Sequence, residues 1–155
     1  MLSPVKKKGS VFILNGPNLN LLGTRQPHIY GATTLPEVEK MAQAHADKLD
    51  FAVTFRQTNH EGVLVDWIQE CRHAADGLIL NAGAYTHTSL ALHDALLALE
   101  KPIVEVHLSN PHTRESFRHF SYVSGPAKRE IAGFGAHGYI LAMEALAHIF
   151  VHQPA

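Results

Sequence analysis

A carboxylate and an imidazole stand two residues apart in the sequence, as Glu105 and His107. Their neighbours are apolar, and alternate residues of a strand point to the same face of a sheet, so a strand would bring the two side chains together. A carboxylate beside an imidazole fixes the tautomer of the ring and favours its protonated form, which suits a general acid. The residues alone are equally compatible with a structural hydrogen-bonded pair.

A second reactive group lies in a long loop. The loop covers residues 15–34 and contains Arg25 and Tyr30. Loops of about twenty residues inside a compact domain are usually binding loops or lids. A phenol acts as a base near neutral pH only as phenolate, and a nearby guanidinium favours that form. The alternative, which composition alone favours, makes Tyr30 a packing residue and Arg25 a solvated charge.

A polar segment precedes a strongly apolar helix. It offers the amide of Asn81 and the imidazole of His87 close to the predicted start of that helix, and helix N-termini attract anions and hydroxyl-rich ligands. The alternative explanation is a helix cap, which fits Thr88 and Ser89, together with a structural asparagine at position 81. Asp94, one turn into the apolar helix, is expected to be buried, and a buried carboxylate needs a partner.

More polar residues follow the carboxylate–imidazole pair. Ser109 and Asn110 come first, and Arg114 and Arg118 are then four residues apart, which predicts that both guanidinium groups share one helical face. Two such arginines indicate either a ligand that carries carboxylate or hydroxyl groups, or a contact between subunits.

Signals for a cofactor are weak. Residues 133–138 read GFGAHG, the glycine spacing of a dinucleotide-binding turn, but no later strand and acidic residue follow at the required distance. Tight packing of a strand against a helix through glycine explains the motif better. The chain has 12 histidines, yet none of their spacings is typical of a metal site. The sequence predicts neither a metal ion nor a cofactor.

These polar segments must be positioned by an alternating series of strands and helices. Thr34 and Glu37 have the spacing of a capping box, as do Thr58 and Glu61, so each pair predicts the start of a helix. The helix over 89–99 is apolar almost all round, which predicts burial on more than one side. Strands are predicted over 11–14, 52–56, 77–80, 103–107 and 127–132, and the last helix over 136–151.

Strands that alternate with helices predict an α/β fold, a parallel sheet with helices on both faces. Five strands fit the flavodoxin-like order 2-1-3-4-5, in which ligands bind beyond the carboxyl ends of the strands. The segments that leave those ends are rich in polar groups: NGPNLN, RQTNHE, NAGAYTHTS and HLSNPHTRESFR. The predicted site therefore lies at this edge of the sheet.

Length and composition fit one globular domain. The chain has 155 residues, of which 46% are hydrophobic, and we expect a flexible basic tail over 1–9 and a single domain over 10–155. A formal charge of -1 argues against general nucleic-acid binding, and the single cysteine, Cys71, excludes an internal disulfide. No apolar run fits a membrane span or a signal peptide, so a cytoplasmic protein without membrane partners is expected.

Together these segments resemble the type II 3-dehydroquinate dehydratases. The resemblance implies a hydro-lyase that converts 3-dehydroquinate to 3-dehydroshikimate by anti elimination of water, in the shikimate pathway and without a cofactor. It also implies a flavodoxin-like subunit in a homododecamer built as four trimers. The matching stretches run in order from near residue 10 to near residue 150: ILNGPNLNLLGTRQPHIYG, HEGVLVDWIQE, LILNAGAYTHTSLALHDAL, IVEVHLSNPHTRESFRHFSYVS and GFGAHGYILAMEAL.

The resemblance also implies roles for individual residues. Tyr30 is the base that removes a proton from C2, and Arg25 favours its phenolate from the same mobile lid. Asn18 helps to stabilise the enolate, and His107, oriented by Glu105, donates a proton to the departing C1 hydroxyl. Six residues are implied to bind substrate: Asn81, Leu108 and Ser109 hold its carboxylate, His87 and Arg118 hold ring hydroxyls, and Asp94 of a neighbouring subunit closes the site.

Some features depart from the pattern or carry no role. Gln26 stands where many members of the family carry an acid, which alters the charge of the lid. Arg114 and Glu61 lie in matching motifs without an assigned role. No lysine lies in the polar segments, so the lysine–imine route of the unrelated type I enzymes is not expected.

Two other classes of protein share the predicted fold. A flavodoxin-like nucleotide- or flavin-binding domain without dehydratase activity is the first alternative, but it requires a phosphate-binding loop after the first strand, where residues 15–18 read NGPN. A non-catalytic scaffold is the second, and it would be expected to lack Tyr30, Arg25 or His107.

Overall fold

The computed structural model describes residues 7–152. Residues 1–6 of the predicted basic tail lie outside this range. In chain order the elements are β1 (Gly9–Asn15), α1 (Pro27–Tyr30), α2 (Leu35–Leu49), β2 (Phe51–Gln57), α3 (Glu61–Ala74), β3 (Gly77–Asn81), α4 (Leu90–Leu99), β4 (Ile103–His107), α5 (Ser124–Ala127), β5 (Glu130–Ala132) and α6 (His137–His152).

The five strands form one parallel sheet in the order β2-β1-β3-β4-β5. In the centre of the sheet, Ile13 of β1 lies between Phe55 of β2 and Ile79 of β3. The predicted order 2-1-3-4-5 and the flavodoxin-like α/β fold are therefore confirmed. All strands run the same way, so their carboxyl ends meet at one edge.

Two apolar layers hold the helices against the sheet. Residues such as Ile13 and Val106 pack with α2 and α6 on one face. Their neighbours in sequence, such as Leu14, pack with α3 and α4 on the other face. Successive strand residues point to opposite faces, so strands covered on both sides need continuous apolar runs.

One of the two predicted capping boxes is present. Thr34 Oγ1 accepts a hydrogen bond from the amide of Glu37, whose carboxylate accepts one from the amide of Thr34, and α2 begins at Leu35. The box predicted for Thr58 and Glu61 is wrong. α3 begins at Glu61 itself, and Thr58 Oγ1 accepts instead from the amide of His60, which closes a turn before the helix.

The burial predicted for the apolar helix is also wrong for the single chain. Ser89 caps α4 by accepting a hydrogen bond from the amide of Leu92, as expected of a capping serine. Leu90 and Leu97, however, are each 58% exposed. Only one face of α4 packs in the core of this chain. The opposite face is apolar and exposed to solvent in the single chain, which is typical of a surface that binds another molecule.

Two connections differ in local structure from what the sequence predicts. The loop over 15–34 contains a 3₁₀ turn, Leu19–Leu21, as well as α1. The segment that carries Arg114 and Arg118 is not one helix, because Arg114 is extended between two separate 3₁₀ turns. The predicted common helical face for the two arginines is therefore wrong.

The glycines of the GFGAHG motif have different tasks. Gly133 and Gly135 have φ angles of +86° and +59°, so they form the turn between β5 and α6. Gly138 packs in the first turn of α6, where an added Cβ would lie 3.5 Å from Val106, an ordinary contact. The glycine requirement thus comes from the turn rather than from the predicted tight packing.

No helix within residues 7–152 has the length and apolar character of a membrane span.

Candidate active site

A single cleft at the carboxyl edge of the sheet brings most of the predicted site together. It holds about 540 Å³ of space, part of it open to solvent. Of the predicted site residues, nine line it: Asn18, Arg25, Tyr30, Asn81, His87, His107, Leu108, Ser109 and Arg118. Glu105 lies behind His107, and Asp94 is elsewhere.

The carboxylate–imidazole pair sits at the end of β4. Glu105 and His107 are buried, with 1% and 7% of their surfaces exposed. The Nε2 of His107 lies 2.5 Å from Oε2 of Glu105. An ionised carboxylate only accepts hydrogen bonds, so Nε2 carries the proton of this bond and Nδ1 remains for a ligand in the cleft.

Glu105 is held as a carboxylate by the groups around it. Ser124 donates to its Oε1 over 2.7 Å, and Ser121 donates to its Oε2 over 2.9 Å. Burial alone would raise the pKa of Glu105, but the hydrogen bond and charge of His107 and the two serine hydroxyls outweigh it, and the pKa lies below its ordinary value. At neutral pH a negative charge therefore faces the back of the imidazole.

A second imidazole lies parallel to the first. The ring centroids of His87 and His107 are 6.4 Å apart, with an angle of 17° between the rings. His87 Nδ1 donates to the main-chain carbonyl of Phe120 over 2.8 Å. Burial lowers the pKa of His87; the bond to Phe120 opposes the shift, and nearby positive charge adds to it. The side chain is thus neutral, with a lone pair on Nε2.

Two arginines surround the tyrosine of the lid, and they do so differently. Arg114 donates from Nη1 to the hydroxyl oxygen of Tyr30 over 2.9 Å. Both guanidinium carbons lie over the ring, 5.0 Å from its centroid for Arg25 and 5.3 Å for Arg114, but Arg25 makes no bond to the hydroxyl. Arg114 also reaches Ser109 Oγ at 3.4 Å, so it ties the lid to the loop after β4. The guanidinium group of Arg114 therefore lies directly against the hydroxyl oxygen of Tyr30.

The loops after β1 and β3 approach each other beneath the cleft. The amide of Gly16 donates to the carbonyl of Asn81 over 2.8 Å. Asn18 has a left-handed backbone with φ of 68°, and its amide donates to Asn59 Oδ1 over 3.0 Å. Asparagine tolerates this conformation. The main-chain N–H of Asn18 is thus bonded to Asn59, while the Asn18 side chain lines the cleft.

The remaining predicted residues divide into two groups. Leu108, Ser109 and Arg118 line the cleft, and Arg118 is held by Glu115 through a hydrogen bond of 2.7 Å. Asp94 is exposed on α4 and does not line the cleft of its own chain. Its predicted burial is wrong, because it lies on the outer face of α4 between Leu90 and Leu97.

The sequence predicts for Arg114 only a general contact with a ligand or another subunit, whereas in the structure it bonds to Tyr30. Tyr30 and Arg114 are 84 positions apart. Two flexible connections bring them together, and no local spacing encodes such a contact. The only available signal was the cluster of polar residues that follows β4, at the edge of the sheet where ligands bind.

The arrangement offers acid and base chemistry on one small ligand. His107 presents Nδ1 to the cleft, and Tyr30 presents its hydroxyl group to the same cleft. Asn18, Asn81 and Arg118 add donors for oxygen atoms. Within residues 7–152, no group of three or more His, Cys, Asp or Glu side chains is placed to hold a metal ion.

Known proteins match nearly the whole chain. Residues 9–147 match the family model described as dehydroquinase class II. A 3-dehydroquinate dehydratase of Dinoroseobacter shibae is 59% identical over 140 residues, which cover 90% of this chain and 93% of the relative. A catabolic 3-dehydroquinase of Aspergillus clavatus is 54% identical over 138 residues, 89% of this chain and 92% of the relative.

A solved structure agrees in fold. The crystal structure of a type II dehydroquinase from Butyrivibrio crossotus has a TM-score of 0.87 at 40% identity, covering 88% of this chain and 96% of that one. Matches of this extent in both sequence and fold confirm the resemblance seen in the motifs, and the chain belongs to the class II dehydroquinase family.

Proposed function

We propose that the protein is a 3-dehydroquinate dehydratase that removes water from 3-dehydroquinate to give 3-dehydroshikimate in the shikimate pathway. The observation that carries the proposal is the pairing, in one cleft, of a tyrosine held by Arg114 with a histidine held by Glu105. The family and the names of the relatives supply the substrate.

The base and the acid act on neighbouring carbons. The Tyr30 phenolate takes the C2 proton, and the electron pair of the broken C–H bond forms an enolate, for which Asn18 offers a donor. The enolate then expels the C1 hydroxyl, which takes a proton from His107 and leaves as water. Tyr30 ends protonated and His107 neutral. Exchange of one proton each with solvent restores both.

The other residues of the cleft bind the parts of the substrate that do not react. Asn81 and the backbone around Leu108 and Ser109 hold the carboxylate. His87 accepts a hydrogen bond from a ring hydroxyl at Nε2, and Arg118 donates to another. No lysine is among the described residues that line the cleft, which favours direct proton abstraction over an imine route.

The assembly that we propose is a homododecamer of four trimers. Leu90, Asp94 and Leu97 share the exposed face of α4, since positions four and seven apart lie on one side of a helix. An apolar face of this kind needs a partner. A neighbouring copy packed there would carry Asp94 toward the cleft of the other subunit.

Direct assay tests the proposed activity. Purified protein is mixed with 3-dehydroquinate in the presence of a chelator, and the ultraviolet absorbance of the conjugated enone is followed. We expect the absorbance to rise at the same rate with the chelator as without it. No rise from protein that sizes as a dodecamer would contradict the proposal and leave the flavodoxin-like binding domain as the alternative, which bound flavin would reveal by its yellow colour.

Replacing the base separates chemistry from binding. Tyr30→Phe removes one hydroxyl and should abolish turnover while 3-dehydroquinate still binds, as measured by calorimetry. Activity close to that of the wild type would show that Tyr30 is not the base.

A further inference from the structure

A chain of buried hydrogen bonds runs from β1 through α6 to the cleft. Tyr139, in the first turn of α6, is 0% exposed, and so is Asn15 at the end of β1. The Tyr139 hydroxyl donates to Asn15 Oδ1 over 2.6 Å. The hydroxyl oxygen of Tyr139 in turn accepts a hydrogen bond from Nδ2 of Asn81 over 3.0 Å.

The direction of each bond in this chain is fixed at both ends. Asn15 Nδ2 donates to the main-chain carbonyl of Arg56 over 3.1 Å, so the Oδ1 of Asn15 must be the acceptor for Tyr139. At the other end, Asn81 Oδ1 accepts from the amide of Gly83 over 3.3 Å. The NH₂ end of the Asn81 side chain therefore points toward Tyr139. Only one of its two N–H groups donates to the Tyr139 hydroxyl.

Tyr139 keeps its proton, which preserves the direction of the chain. Burial raises the pKa of Tyr139, and the N–H of Asn81 opposes the shift only in part. A neutral hydroxyl has one proton to give, to Asn15, and a lone pair to offer, to Asn81. The second N–H of Asn81 then remains for a ligand oxygen in the cleft that Asn81 lines.

We propose that Tyr139, supported by Asn15, is a positioning residue that aims an N–H of Asn81 at the substrate carboxylate. The proposal rests on the proposed function, because it assigns a purpose to the side chain taken there to hold that group. Neither Tyr139 nor Asn15 lines the cleft, so both act through Asn81. Without the Tyr139 hydroxyl, the Asn81 side chain keeps only the 3.3 Å bond from the Gly83 amide to its Oδ1, which holds its rotation less firmly.

The carboxylate does not react, so its binding contributes equally to the ground state and the transition state. Loss of such uniform binding raises KM and leaves kcat unchanged. Tyr139→Phe removes the hydroxyl alone, and we expect KM for 3-dehydroquinate to rise about tenfold with kcat retained, the effect of one misplaced hydrogen bond.

A double-mutant cycle distinguishes positioning from general loosening of the fold. Asn81→Ala should raise KM by more than Tyr139→Phe, and the double variant should have the KM of Asn81→Ala alone, because Tyr139 has nothing left to position. Ile149→Val, a conservative change in the buried part of the same helix, is the control and should leave KM unchanged.

A second variant and two contrary results complete the test of the positioning role of Tyr139. Asn15→Leu removes the acceptor of the Tyr139 proton without touching the cleft, and it should raise KM in the same way if Tyr139→Phe does not fold. An unchanged KM in the folded variants, or multiplying effects of Tyr139→Phe and Asn81→Ala, would overturn the inference. Absence of turnover in the wild-type protein would instead contradict the proposed function.

Discussion

Arg114 and Arg25 both contact Tyr30, but only Arg114 is bonded to the oxygen that would carry charge in the phenolate. The hydrogen bond from Nη1 is 2.9 Å long, whereas the Arg25 guanidinium lies over the face of the ring. A donor on the oxygen stabilises the phenolate directly. A cation over the ring acts on the charge that spreads into it, which is the weaker effect.

The difference between the two arginines can be measured. Arg114→Ala should lower kcat by roughly a hundredfold, the size of the loss when one donor to an oxyanion is removed. Arg114→Lys keeps the charge without the planar fork and should recover part of the rate. The comparison is Arg25→Ala. A larger loss of kcat there than in Arg114→Ala would contradict the assignment of Arg114 to the phenolate oxygen.

The buried carboxylate of Glu105 links the site to acid stability. Its pKa is lowered in the folded protein from an ordinary value of 4.5. A carboxyl of this kind stabilises the fold above its ordinary pKa, and the contribution is lost as pH falls through the folded pKa. The free energy of unfolding should therefore decrease below about pH 4.5, where the unfolded chain binds more protons than the folded one.

Replacing Glu105 removes this pH dependence. Glu105→Gln should lower the free energy of unfolding by about 2 kcal/mol at pH 7, since a charge-assisted hydrogen bond is lost. It should also flatten the decrease below about pH 4.5 in urea titrations at several pH values. Glu39→Gln on the exposed side of α2 is the control. An unchanged slope in Glu105→Gln would show that other carboxyls dominate acid unfolding.

At the scale of elements, the site depends on how closely the ends of β1 and β3 approach. A Cβ added to Gly16 would lie 2.3 Å from the carbonyl oxygen of Ala82, a backbone atom that cannot rotate away. The bond from the Gly16 amide to the Asn81 carbonyl closes the same contact. Glycine at position 16 is therefore required by space rather than by an unusual φ angle.

Two glycine substitutions with opposite expected effects test this contact. Gly16→Ala should lower the free energy of unfolding by about 2 kcal/mol, the cost of overpacking. Gly62→Ala lies in α3 with open space around the added Cβ and should raise the free energy by about 0.5 kcal/mol. Urea unfolding measures both. Equal effects of the two substitutions would mean that the contact at position 16 relaxes without cost.

The elements were predictable because local patterns encode them. Continuous apolar runs marked β1, β3 and β4, and apolar–polar alternation marked β2. The alternation of strands with helical segments indicated the correct sheet order. The helix start at Thr58 was mispredicted because the threonine side chain serves a turn one residue earlier. A capping box and such a turn place the same residue types at nearly the same spacing.

The site was predictable as a location and in part as chemistry. Polar segments at the carboxyl ends of strands gave the cleft, and the two-residue spacing gave the Glu105–His107 bond. Arg114 and Tyr30 are 84 positions apart in the sequence. Tyr139 is 58 positions from Asn81 and 124 from Asn15. Such contacts follow from tertiary packing, which no local pattern records.

At the scale of the whole molecule, the proposed assembly places the exposed outer face of α4 at an interface between subunits. Leu90→Glu combined with Leu97→Glu should produce a species smaller than the proposed dodecamer in light scattering, because the charges oppose burial of this face. Activity should fall with it, since Asp94 no longer reaches a neighbouring cleft. Ala44→Glu on α2 is the charge control. A variant of full size would show that this face is not an interface.

The bond from His87 to the Phe120 carbonyl has a consequence for inhibitor chemistry. Because Nδ1 is occupied and the ring is neutral, the nitrogen left for a ligand is an acceptor. An inhibitor should keep a free alcohol at the position that meets this nitrogen. A methyl ether or a fluorine there has the right size or polarity but no proton to give, so each should bind more weakly than the parent alcohol.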